Sequence, residues 1–347
     1  MPHTSLEFLE QLFNDTPKQC AFRAETPEAF REWQTATRQK LAEVLGLHRM
    51  IPCDLAPEKV SVEKMDGYDR EKWVIQTEPG VTLPFYLLRP AGATGRLPVV
   101  IAPHGHCGGG KIAVCGIDNG FPEIRACIEQ HNYDYGVQFV RRGFLVACPD
   151  ARGFGERREG HLQANEAWGW MASSCGHLNA AAMGLGRCVT GMWTWDLMRL
   201  ADWLLERPDT GPLAVAGLSG GGMQTLWLAA MDARVRCAVS SGYFYGVAES
   251  LLRMNCCACN YVPGLWLLCD MGDIGALCAD RGLFIETGDQ DGLNGASGLA
   301  NVFSQVEILR RAAAVLGNER NIGHHVFEGD HRWNGERSIP WLVERMF

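Results

Sequence analysis

Residues 213–231 read LAVAGLSGGGMQTLWLAAM. An apolar run, Leu213–Ala216, leads into Gly217-Leu218-Ser219-Gly220-Gly221, and a helix-forming run, Met223–Met231, leads out. The middle five residues fit G-x-S-x-G between a strand and a helix, the context of a nucleophile elbow. A sharp strand-to-helix turn needs small flanking residues, because a Cβ would clash in the strained backbone. The turn lifts the Ser219 hydroxyl above the sheet and lets the Gly220 N–H face a developing oxyanion. The plainer alternative is a strand–helix turn in which Ser219 is only an N-cap.

A nucleophilic serine needs a base, and the base needs an orienting carboxylate. Downstream, the strand Leu283–Glu286 runs into Thr287-Gly288-Asp289-Gln290-Asp291. Asp291 lies in the loop after that strand, with Asp289 as competitor; a turn role is the alternative for Asp289. A last short strand, Val326–Phe327, precedes Glu328-Gly329-Asp330-His331, which puts His331 on a loop as general base. His324 and His325 come before that position and fit less well. Ser219, Asp291 and His331 follow in the order nucleophile, acid, base. The second oxyanion donor is expected from the loop after strand Leu97–Ala102, Pro103-His104-Gly105-His106-Cys107-Gly108-Gly109-Gly110, at the backbone of His106. The side chains of His104 and His106 read as structural, since two His at i, i+2 do not define a metal site.

The rest of the chain supplies the frame. Residues 5–47 carry apolar positions at helical spacing, broken by Pro17 and Pro27. Glu58–Arg89 alternates with turn signals and reads as an antiparallel meander. Short apolar strands then alternate with helices, including Trp195–Leu205 and Val302–Leu316, which predicts a mostly parallel sheet covered on both faces. The expected organisation is an N-terminal helical arm over 1–57, usable as an oligomer contact, and one catalytic α/β domain over 58–347. Insertions near 112–135, 157–192 and 247–279 are expected to form the pocket and its cover.

Composition removes other classes. The 347 residues are 47% hydrophobic and 21% charged, which excludes disorder and low complexity. The net charge of −8, with no Lys/Arg run, argues against a nucleic-acid partner. The N-terminus lacks an export signal and no apolar run reaches about 18 residues, so a cytoplasmic protein without a membrane partner is expected. Its fourteen cysteines are then expected to be reduced. Asn255-Cys256-Cys257-Ala258-Cys259 invites a metal reading, but its C-C-x-C spacing has no obvious partner pair, so no metal and no organic cofactor are expected. Gly105-x4-Gly110-Lys111 matches most of a P-loop, yet Ile112 stands where the Mg²⁺-holding hydroxyl belongs.

Together these blocks resemble the α/β-hydrolases, and more closely the branch of acetyl xylan esterases and dienelactone-hydrolase-like proteins. The resemblance runs from about Glu58 to the C-terminus. It rests on His104-Gly105-His106, Pro149-Asp150-x-Arg152-Gly153-Phe154-Gly155-Glu156, Trp195-Asp196 and Asp202-Trp203-Leu204 with Arg207-Pro208, the elbow, Asn260-Tyr261-x-Pro263-Gly264, Gly288-x-x-Asp291 and Gly329-x-His331. It implies Ser219, Asp291 and His331 as nucleophile, acid and base, with His106 and Gly220 as oxyanion donors, and it favours Asp291 over Asp289. The implied activity is a short-chain, acetyl-type serine esterase on a small or oligosaccharide ester. A serine peptidase or amidase of the same fold, or a silent binding protein, are the rivals. Trp168, Trp170, Trp193 and Trp333 are the candidate pocket walls, with core or lid packing as their plainer use. Arg152 and Glu156 are read as an ion pair that fixes a loop, with substrate binding as the alternative.

Overall fold

The computed structural model describes residues 3–347. Nine strands form one sheet: β1 (Glu58–Lys64), β2 (Tyr68–Glu78), β3 (Val81–Pro90), β4 (Leu97–Ile101), β5 (Leu145–Pro149), β6 (Thr210–Leu218), β7 (Val235–Ser241), β8 (Gly282–Gly288) and β9 (Ile322–Phe327). Their order is β1-β2-β3-β5-β4-β6-β7-β8-β9. β1, β2 and β3 are the antiparallel meander, and β3 joins β5 antiparallel. From β5 through β9 every pairing is parallel. This is the sheet that the α/β-hydrolase resemblance implies.

The central strands β4 to β8 are apolar on both faces because both faces are covered. Val99 and Ile101 of β4 enter one core cluster, while Val100 enters the other. β6 repeats this with Leu213 and Val215 on one side and Ala214, Ala216 and Leu218 on the other. The helices of nine or more residues are α1 (Leu6–Asp15), α2 (Pro27–Val44), α3 (Pro122–His131), α4 (Cys175–Gly184), α5 (Val189–Glu206), α6 (Gly220–Met231), α7 (Leu299–Val315) and α8 (Ser338–Met346). Residues of α2, α5, α6 and α7 fill the first cluster, and those of α8 the second. No described helix is long and apolar enough to cross a membrane.

The N-terminal helices meet the body through backbone-close contacts. Gly191 of α5 lies so near the end of α2 that a Cβ there would sit 1.8 Å from the Leu45 carbonyl oxygen. Gln34 donates to Leu277 O at 2.9 Å, and Phe22 N–H donates to Asp273 at 2.8 Å. In contrast, α1 buries none of its residues. β1 is exposed along its whole length, and its register with β2 shifts between Lys59 and Ser61.

Two charge clusters fix the loops beyond β4 and β5. Lys111 is fully buried; its Nζ lies 2.5 Å from Asp150 and also pairs with Glu156. Burial pulls the Lys111 ammonium down, but the two carboxylates outweigh it and hold its pKa above the usual lysine value. That lysine has no freedom to meet a phosphate, so the P-loop pattern is a structural loop. Arg152 does not pair with Glu156 as the sequence suggested. Its guanidinium bridges Glu78 (2.9 Å) and Asp196 (2.7 Å), while Glu156 takes Lys111 and Lys72. Loop fixing is the role in both cases; the partners come from β2 and α5, which sequence distance concealed.

Candidate active site

Ser219 follows β6 and precedes α6, with φ 59° and ψ −122°. A β-carbon in the left-handed half of the map is strained, so the surrounding structure must impose it. Its N–H donates to Ser241 O on β7 at 2.9 Å. The glycines around it are required by close approach. A Cβ on Gly217 or Gly221 would lie 2.7 or 2.2 Å from the Pro103 carbonyl oxygen, and one on Gly220 would lie 2.6 Å from the His106 ring. The loop after β4 therefore packs directly on the elbow.

That loop is held from below. Tyr133 Oη accepts the Gly105 N–H at 2.7 Å, and Tyr135 Oη donates to Pro103 O at 2.6 Å. Both tyrosines are buried, so they support the loop and do not line a pocket. His104 is buried as well. Its Nε2 accepts the Ala151 N–H at 3.0 Å and its Nδ1 lies 2.6 Å from Gly105 O, which fits a neutral ring that staples two loops. Burial lowers its pKa accordingly. Neither the His106 nor the Gly220 N–H has an acceptor among the described residues, and both belong to the cleft wall.

The structure brings His331 to Asp291, with Nδ1 2.6 Å from Oδ2. Asp291 is buried after β8, and its other oxygen accepts the Leu293 N–H at 2.9 Å. Asp289 instead accepts the Gly329 N–H at 2.9 Å, a turn contact that shapes the loop bearing His331. Burial pulls the His331 pKa down, but the hydrogen bond and charge of Asp291 overcome it, so the net shift is upward. The imidazole lies over Gly242, where a Cβ would meet Cε1 at 2.9 Å; Gly242 directly follows Ser241, the acceptor of the Ser219 N–H. His324 sits on β9, bonded to Thr287 at 3.1 Å and pushed down to about 4 by burial; it is not part of this constellation.

Sequence reading missed Glu286. Fully buried in β8, it accepts N–H bonds from Gly335 (2.8 Å) and Asn334 (3.3 Å) and the Ser338 hydroxyl at 2.5 Å. It pins the chain just after His331. A charged residue inside an apolar strand was the available signal, since such a group is buried only with partners.

Ser219 opens onto a cleft of about 380 Å³, with His106, Gly220, Tyr243, Tyr245 and Met254 among its walls. The roof comes from the 247–279 segment; 112–135 and 157–192 contribute nothing to this lining. None of the four tryptophans lines it. Trp193 and Trp333 are buried, the first bonded to Arg152 O at 3.0 Å and the second stacked on Tyr135 at 4.9 Å. Trp168 is 55% exposed. Trp170 packs under the Arg158 guanidinium, 4.4 Å away. Aromatic residues mark where area is buried, and the topology decides whether that place is core or cleft.

The cysteines also gather in ways that spacing hides. All fourteen are free thiols. Cys257 and Cys259 meet Cys175, at the start of α4, and the His106 ring. The partners absent from the local sequence come from two distant segments.

The sequence matches the Abhydrolase family over residues 4–332. The provisionally named hydrolase YtaP of Bacillus subtilis (strain 168) is 25% identical over 259 residues, covering 70% of this chain and 78% of YtaP. Among solved structures, BF1801 of Bacteroides fragilis NCTC 9343, provisionally named an acetyl xylan esterase, aligns with a TM-score of 0.77 at 17% identity, over 100% of this chain and 90% of that one. A glucuronoyl esterase from Solibacter usitatus aligns with a TM-score of 0.66 at 14% identity, over 96% of this chain and 98% of its own. The structural likenesses speak for the fold. The family match spans nearly the whole length, N-terminal helices included, and the chain belongs to the Abhydrolase family of α/β-hydrolases.

Proposed function

We propose that the protein is a serine carboxylester hydrolase acting on short acyl esters of small or carbohydrate alcohols. One observation carries this reading: a serine held at φ 59° stands at the cleft, and the imidazole bonded to the buried Asp291 lies over Gly242, next in sequence to the residue that accepts the Ser219 N–H. The names of the structural neighbours, acetyl xylan and glucuronoyl esterases, support a carbohydrate ester. A cleft of about 380 Å³ lies at the small end of the range for ligand sites.

In this mechanism Ser219 Oγ attacks the ester carbonyl and His331 Nε2 takes its proton. The carbonyl oxygen becomes an oxyanion, held by the N–H groups of His106 and Gly220, each contributing about 3 kcal/mol. Collapse breaks the ester C–O bond, and His331 returns the proton to the leaving alcohol. Water then attacks the acyl-serine, with His331 again as base, and the acid departs. Asp291 holds the ring's Nδ1–H tautomer and stabilises the imidazolium.

The test is turnover of p-nitrophenyl acetate, butyrate and octanoate, acetylated xylo-oligosaccharides and aminoacyl-p-nitroanilides. Acetate esters should be fastest, with rates falling as the acyl chain grows. Turnover of anilides alone would replace this reading with a peptidase, and no turnover of any would leave a binding protein.

Asp291 also sets the pH profile. The base must be neutral, so kcat/KM rises with pH through the His331 pKa, which Asp291 raises. Asp291→Asn should lower the plateau by about 10⁴-fold and move the rising limb to lower pH. A pH–rate series on both proteins checks it; an unmoved limb would remove Asp291 from the mechanism.

A further inference from the structure

One donor atom from each of His106, Cys175, Cys257 and Cys259 lies within 4.8 Å of all the others. The four come from the loop after β4, the start of α4 and the cleft roof. Three thiols and one imidazole form a donor set typical of tetrahedral zinc. Zn–S bonds of about 2.3 Å and Zn–N bonds of about 2.0–2.1 Å place neighbouring donors roughly 3.4–3.8 Å apart. The group therefore closes on an ion with shifts of about 1 Å or less. His106 Nε2 is already 3.1 Å from Cys259 Sγ. Asn260 Nδ2 lies 3.8 Å from the same sulfur and donates to Cys257 O at 3.0 Å, the outer contacts that orient a thiolate ligand. Cys175 and Cys259 are buried, so these sulfurs face the cluster and not solvent.

We propose that His106, Cys175, Cys257 and Cys259 bind one zinc ion in a closed structural site beside the cleft. Sulfur-rich donors select zinc over magnesium or calcium. The protein fills all four positions, leaving none for water or substrate, so the ion ties segments together and does not enter the reaction. It fastens the cleft roof and α4 to the loop carrying the His106 N–H. The metal site does not rest on the esterase reading.

The experiment is metal analysis of the full chain, purified with a reductant and without chelator, then exchanged into zinc and dialysed. Zinc should be near one per chain. Cys175→Ser and Cys259→Ser should bring it near zero, while Cys256→Ser and Cys107→Ser keep it near one. Cys107 belongs to a separate group with Cys127 and His131, so its variant distinguishes the two places. Because a ligand variant can misfold, cobalt is also exchanged into the wild type. Sulfur-to-cobalt charge-transfer bands with intense tetrahedral visible bands are expected. Reduced wild type that takes up neither metal, a weak octahedral cobalt spectrum, or zinc lost in Cys107→Ser but kept in Cys175→Ser would overturn the site. Failure of ester turnover with zinc retained would count against the esterase reading alone.

Discussion

Ser219→Ala is expected to lower kcat/KM on p-nitrophenyl acetate by at least about 10⁴-fold, or roughly 5.5 kcal/mol of transition-state stabilisation. The substitution removes one oxygen and leaves the backbone problem unchanged, because alanine meets the same constraint at φ 59°. The close packing of Gly217, Gly220 and Gly221 on the Pro103–His106 loop is also preserved. The His106 and Gly220 N–H groups proposed as oxyanion donors therefore remain, and with them a residual rate above that in water is expected. Circular dichroism and thermal melting of the variant should match the wild type. A fluorophosphonate should label the wild type at Ser219 and leave the variant unlabelled. Equal rates in the two proteins would sink the serine mechanism.

The largest stability effect is expected at Lys111. Lys111→Met should destabilise the protein by about 3–5 kcal/mol, because it leaves a buried carboxylate without its cation. Asp150 is fully buried and sits between Lys111 and the start of the Gly155 turn. Its oxygens accept the N–H groups of Lys111 (2.8 Å) and Glu156 (3.0 Å), so it cannot turn away to water. A Cβ on Gly110 or Gly155 would lie 2.4 or 2.2 Å from the same carboxylate, which shows how closely the two loops enclose it. Urea unfolding measures the loss. Lys111→Met with Asp150→Asn should recover part of it, since the uncompensated charge is then gone. A single variant as stable as the wild type would show that the ion pair contributes no net stability.

Local constraints were legible in the sequence, and long-range ones were not. The elbow could be read because Gly217-x-Ser219-x-Gly221 sits directly between an apolar strand and a helix, although the Pro103–His106 loop that leaves no room for a Cβ there is distant in sequence. The parallel strands could be read because burial on both faces writes itself as a continuous apolar run, as in Leu213–Ala216. Asp291 and His331 were located by their place after strands, and the fold sets them 2.6 Å apart. The tryptophans failed because an indole is equally at home in a core and in a cleft; Trp193 and Trp333 ended in the core. Arg152 failed in its partner because Glu78 and Asp196 reach it only through the tertiary fold. The gathering of His106 with Cys175, Cys257 and Cys259 was hidden for the same reason: no spacing rule connects His106 to Cys175 or either to Cys257.

The bare outer edge of the sheet bears on behaviour at high concentration. β1 offers unpaired backbone groups along Glu58–Lys64, with Val60 and Val62 half exposed. An open edge of that kind is a template on which a second chain can add a strand. Here Glu58, Lys59, Glu63 and Lys64 flank the valines, and the break in register at Lys59/Ser61 twists the strand out of line. Charge and irregularity together disfavour a continuous ladder with a second chain, so edge-to-edge pairing is opposed where the sheet is least covered.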